Sequence, residues 1–195
     1  MRKQALLFCC AQVVLLCYAQ IHKNRILVFL CLGLFLLHIA YTCIHNYELP
    51  VLLFSLPWTA LLRFSPDSIS FYTLALLMVG CIEIVKNKFQ LKNYYVSIAL
   101  VIAVLSLLAK IISGYRLTNS YLMFLAMLVL FPMLDFENRV YDFYWLTVSF
   151  AIGIIIAALT AERFAGYPNI AQYIKVDSYL SITRRCGFYG DPNFY

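Results

Sequence analysis

Residues 26–44 read ILVFLCLGLFLLHIAYTCI, with no charged residue among them. A helix crosses the hydrocarbon core of a bilayer with roughly 17–25 apolar residues, each adding about 1.5 Å. This stretch meets that requirement by itself. Comparable blocks occur at Ala5–Ile21, Leu49–Leu62, Ser68–Val85, Tyr94–Ile112, Leu117–Leu134 and Phe143–Thr160. Aromatic residues gather at their ends, among them Tyr18, Tyr41, Tyr47, Trp58, Tyr94, Tyr95, Tyr115 and Tyr144. Amphipathic rings favour the headgroup level, so they mark the boundaries. The block at 49–62 is the weakest, being short and broken by Pro57; it tilts, thins the bilayer locally or inserts only halfway.

Composition agrees with this reading. Hydrophobic residues make up 64% of the chain and charged residues 12%. A soluble domain has about 45–50% and about 25% respectively. The expected fold is therefore all-α: a polytopic transmembrane helix bundle of about seven spans plus the start of an eighth. No internal repeat, low-complexity segment or Pro- or Ser-rich linker divides it, so residues 1–195 read as one membrane domain.

The net charge of +6 does not point to nucleic acid, because the basic residues are scattered through the short links between blocks. There they set topology and meet lipid headgroups. Arg2 and Lys3 precede the first block, and Lys86, Lys88 and Lys92 crowd the link after the fourth. With seven spans and a cytoplasmic N-terminus both clusters lie inside, joined by Arg139, while Lys23, Arg25, Arg63 and Arg116 fall outside. The first block also reads as a secretory signal cut after Ala19 of "CYA"; the span that follows so soon favours an uncleaved anchor.

Cys9, Cys10, Cys17, Cys31, Cys43 and Cys81 lie inside apolar blocks, where cysteine acts as a small hydrophobe. Their spacing suits no metal site. Glu83 and Lys110 sit near span ends and can snorkel to an interface, and His38 is placed to hydrogen-bond a neighbouring helix.

This topology puts residues 161–190, the longest polar segment, outside the membrane. It is followed by "GDPNFY", and Arg184 and Arg185 stand just before that motif. Aspartate caps helices and proline favours their first position, so Asp191-Pro192 reads as a helix start with Asn193 in its first turn. Gly187 and Gly190 let the backbone turn on the way in. A helix N-terminus attracts anions, and arginine grips phosphate through two parallel hydrogen bonds. Arg184, Arg185, Gly187, Asp191, Pro192 and Asn193 thus form a candidate cradle for phosphate or pyrophosphate. Ordinary headgroup contact and simple helix capping are the competing readings.

The pattern Arg184-x-x-Gly187-x-x-x-Asp191-Pro192-Asn193 resembles the signature of the O-antigen polymerase and ligase family of bacterial membrane glycosyltransferases. More loosely, "LPWTALLRFSPDSISFYTLALLM" at 56–78 resembles that family's third-to-fourth span region. Cys186 departs from the pattern, standing where a small residue is usual. The resemblance implies transfer of an undecaprenyl-pyrophosphate-linked glycan at the outer face of the bacterial inner membrane. It implies membrane lipids and other polysaccharide-assembly membrane proteins as neighbours. No metal or nucleotide cofactor is expected, since the leaving group is already activated. Arg184 becomes the catalytic residue that stabilises charge developing on the pyrophosphate.

Family members continue through further spans and a second external loop bearing an arginine and a histidine. His22, His38 and His45 all lie near the first two blocks, so a general base is missing unless Glu162 or Asp177 serves. The expectation is an N-terminal fragment, inactive in isolation. Two other classes stay open: a transporter or flippase, and a non-catalytic cell-envelope membrane protein.

Overall fold

A computed structural model describes residues 2–86, 94–115, 117–133, 143–174, 176–179 and 182–185. The order is α1 (Arg2–Ile21), α2 (Arg25–Ile44), α3 (Glu48–Ser55, closing in a 3-10 turn at Leu56–Trp58), α4 (Phe71–Lys86), α5 (Tyr94–Ile112), α6 (Asn119–Met133), α7 (Phe143–Phe164) and α8 (Pro168–Ala171). Strands β1 (Val176–Tyr179) and β2 (Ile182–Arg185) follow. The described chain is helical apart from this hairpin.

Among the described residues four helices are long and apolar enough to cross a membrane: Lys3–Ile21, Arg25–Ile44, Tyr94–Ile112 and Phe143–Phe164. The helices α3, α4 and α6 are shorter, at 8, 16 and 15 residues. Large apolar side chains face outward along the long helices, including Leu7 and Val14 on α1, Ile26, Phe29 and Leu37 on α2, and Leu105 and Ile112 on α5. Small and hydroxylic residues such as Thr42, Ser55, Ser70 and Ser149 are buried among the apolar ones. Helices packed in lipid have this distribution, because burying apolar groups gains nothing where the solvent is itself apolar.

The chain divides into two compact units, one of Met1–Tyr72 with Asp142–Tyr195, the other of Thr73–Tyr141. In the first, α3 packs against α1, α2 and α7, and α1 also meets α2 and α8. Phe54, Trp58 and Leu61 are fully buried. Along α7 runs a row of small residues four apart, Ser149, Gly153, Ala157 and Ala161, and all are buried. Such rows let helix backbones approach closely. Gly153 lies against the backbone of Phe54, where an added Cβ would overlap the Phe54 carbonyl oxygen.

The block at 49–62 is not one continuous α-helix. Proline lacks an N–H and cannot continue an α-helical ladder, so α3 tightens into a 3-10 turn at Pro57 and the chain turns away. Irregular backbone is tolerated at membrane depth only where other groups satisfy it. Hydroxyls do so here. Ser70 Oγ donates to the carbonyls of Thr59 and Leu62 at 2.8 and 3.1 Å, and accepts from the Tyr72 amide at 3.2 Å. The Phe71 amide donates to Leu62 O at 2.7 Å, and Ser55 Oγ to Val51 O at 2.8 Å. Asn24 caps α2, its Oδ1 accepting from the Leu27 amide at 3.0 Å.

In the second unit α5 packs on α6. Ser106 and Tyr121 share a hydrogen bond of 2.6 Å, and the Lys110 ammonium sits 4.1 Å from the centroid of the Tyr121 ring. Thr73 Oγ1 donates to Asn119 Oδ1 at 2.9 Å. Glu83 pairs with Lys86 at 3.0 Å, one turn along α4, so the carboxylate near a span end has a local partner.

The segment after Thr160 departs from the expected loop. α7 runs on to Phe164, α8 adds a turn, and β1 pairs antiparallel with β2. The β-branched and aromatic content of Val176, Tyr179, Ile182 and Thr183 suits strands better than helix.

Candidate functional site

The polar residues at one end of the first unit come from three distant parts of the chain. Gln20 ends α1, Arg63 lies in the connection after α3, and Asn169 and Tyr173 belong to α8 and the turn beyond it. Gln20 Nε2 donates to the Arg63 carbonyl at 3.1 Å, and the Tyr173 hydroxyl donates to Gln20 Oε1 at 3.3 Å. Asn169 Nδ2 donates to Ile21 O at 2.8 Å, tying α8 to the last turn of α1. One glutamine therefore joins the two later segments.

The Arg63 guanidinium folds back so that Nη1 donates to Pro66 O at 2.7 Å, while its Nε is buried with no hydrogen-bond partner. Among the described residues no carboxylate reaches it within ion-pair distance. Burial pushes its pKa down; the exposed Asp67 carboxylate and the Tyr173 phenol pull it back up. Arginine remains charged regardless. Burial pushes the Tyr173 phenol up, against the opposing pull of the Gln20 hydrogen bond and the Arg63 charge. A raised folded value favours the neutral hydroxyl, so its contribution is present at neutral pH and lost as the pH climbs through that value.

Gln20→Ala is expected to remove both hydrogen bonds and strand the buried Tyr173 hydroxyl. The cost is about 2 kcal/mol, measured at pH 7 as a lower unfolding midpoint of the detergent-solubilised protein. An unchanged midpoint would mean that Gln20 does not hold these segments.

Of the residues singled out in the sequence, Arg184 and Arg185 lie on β2. The register sets Arg184 opposite Asp177 and Arg185 opposite Val176. Val176 follows Tyr173 by three residues, so their Cα atoms are at most about 11 Å apart. Partners across an antiparallel ladder stand about 5 Å apart. The hairpin thus returns β2 to within about 16 Å of Tyr173. Cys186, Gly187, Gly190, Asp191, Pro192 and Asn193 lie outside the described residues. Glu162 is exposed on the last turn of α7.

Sequence reasoning missed Gln20, Arg63, Asn169 and Tyr173 as a group. The available signal was positional: each is a polar or amphipathic residue flanking an apolar block on the same expected side of the membrane. His38 does bond a neighbouring helix, its Nδ1 lying 3.3 Å from Gln12 Oε1 of α1. Cys9, Cys17 and Cys31 are buried thiols within the helices. Comparison with protein-family models, curated proteins and solved structures finds no match to this chain.

Proposed function

We propose that this protein takes part in transferring a polyprenyl-pyrophosphate-linked glycan during assembly of a bacterial surface polysaccharide. In this reading the chain is a seven-span inner-membrane protein, begun inside, with the hairpin and the motif after it on the outer face. The observation that carries the proposal is Arg184-x-x-Gly187-x-x-x-Asp191-Pro192-Asn193, set directly behind spanning-length apolar helices. Arg63 adds support as a second, half-buried guanidinium in the same compact unit as the hairpin.

The chemistry asks little of the protein beyond charge and position. An acceptor hydroxyl attacks the anomeric carbon, and its oxygen forms the new glycosidic bond. The bond from that carbon to the pyrophosphate oxygen breaks, and the pyrophosphate leaves with the electron pair. The hydroxyl proton passes to a base, for which Glu162 and Asp177 are the candidate carboxylates. Arg184 meets the growing negative charge, and a fixed donor aimed there stabilises the transition state more than the ground state.

Deletion of the chromosomal gene tests this reading. The expected result is loss of long surface glycan chains together with accumulation of the lipid-linked precursor on the outer face. Accumulation on the inner face would instead mark a flippase, and unchanged chain length would end the proposal.

A further inference from the structure

Away from the arginines, α1 and α2 enclose a groove of about 440 Å³. That volume lies within the range of small-molecule sites, about 300–1,000 Å³. Its walls are apolar, formed mainly by Phe8, Leu34 and Leu37, while Gln4, Tyr41 and His38 supply polar groups. His38 is only 7% exposed. Three contacts fix its ring: Nδ1 lies 3.3 Å from Gln12 Oε1 and 3.7 Å from the Cys9 sulfur, and Phe8 packs edge-on with centroids 4.7 Å apart. Both polar contacts fall on Nδ1, and in either tautomer Nε2 is the ring nitrogen left over. Among the described residues Nε2 makes no hydrogen bond. A buried imidazole is thus oriented by its neighbours, with one idle ring nitrogen, on the wall of a groove in the apolar hairpin.

We infer that this groove binds a hydroxyl-headed amphiphile, its chain along Phe8, Leu34 and Leu37 and its hydroxyl hydrogen-bonded to His38 Nε2. The lining decides the headgroup. No lysine or arginine is among the lining residues, so a phosphate or carboxylate would be desolvated without a counter-charge. A plain hydrocarbon would leave the imidazole nitrogen unused, and a carbonyl, which only accepts, suits one tautomer alone. A hydroxyl donates and accepts, so it satisfies either. This inference stands apart from the glycan reading and uses none of its residues.

The test is photolabelling of the full chain in nanodiscs with three diazirine probes: a hexadecanol, a hexadecane and a hexadecyl phosphate. The alcohol is expected to label α1 and α2 peptides saturably, about fivefold more strongly than the hydrocarbon, the margin one hydrogen bond allows. His38→Phe should reduce alcohol labelling to the hydrocarbon level. Leu34→Trp fills the groove without touching the partners of the imidazole, and should block alcohol labelling even if His38→Phe fails to fold. Equal labelling by alcohol and hydrocarbon in the native protein overturns the inference. So does stronger labelling by the phosphate, or alcohol labelling that survives Leu34→Trp. Competition by unlabelled dioctanoylglycerol or farnesol then separates a glycerolipid source from an isoprenoid one.

Discussion

Gly153→Leu is expected to prevent α3 and α7 from packing and to destabilise the protein by about 3 kcal/mol or more, the upper range for overpacked sites. Gly153 presents no side chain to α3, and a Cβ built there would overlap the Phe54 carbonyl oxygen and lie 3.1 Å from its carbonyl carbon and Cα. These are backbone atoms of a buried helix and cannot swing aside as a side chain would. α3 is short and draws its burial from α1, α2 and α7, so moving it away from α7 also exposes the irregular backbone beyond Pro57. Gly33 on α2 is the control, since nothing lies within 4 Å of its added Cβ. Gly33→Ala should be neutral or stabilising by up to about 1 kcal/mol, because glycine is the poorer helix former. Thermal unfolding in detergent, read beside the elution profile, separates the two. A Gly153→Leu protein that unfolds at the native temperature would show that α3 and α7 do not pack in this way.

Arg184→Lys in the chromosomal gene is expected to cut glycan transfer by about 10²–10³-fold, the usual cost of losing one transition-state donor. Lysine keeps the positive charge, so a role limited to attracting an anionic substrate would survive the change. What disappears is the planar pair of parallel N–H groups that grips a phosphate. The readout is the length distribution of surface glycan chains at matched protein levels. Normal chain lengths would remove Arg184 from any central part in the reaction. Arg184 faces Asp177 across the ladder, so Asp177→Asn is the natural companion variant. It separates loss of a hairpin partner from loss of the phosphate donor.

The apolar blocks carried most of the secondary structure. The block at 94–112 coincides with α5, and those at 5–21 and 26–44 differ from α1 and α2 only at their first residues. Pro57 marked the block with the shortest helix, for a reason visible in the sequence: a missing N–H ends the ladder. Packing was far less legible. In a lipid solvent the buried face of a helix need not be its most apolar one, so hydrophobic pattern does not say which side meets a neighbour. The small residues at 149, 153, 157 and 161 were the only such mark, and they name a face without naming its partner. The group of Gln20, Arg63 and Tyr173 was hidden for a related reason. Each reads singly as an interfacial residue, and only the return of the chain joins residues 153 apart.

The pairing of α3 with α7 also bears on how the protein is made. Phe54 leaves the ribosome about a hundred residues ahead of Gly153, an interval of roughly 5–20 s at ordinary rates of synthesis. During that time α3, eight residues long and interrupted at Pro57, lacks the surface that later covers it. The first hairpin can settle at once, but α3 must be sheltered by insertion machinery or stay at the headgroup level until its late partner arrives. Assembly of this half of the molecule is therefore paced by α7, and a ribosome stalled anywhere between them would leave a nascent chain open to membrane proteases.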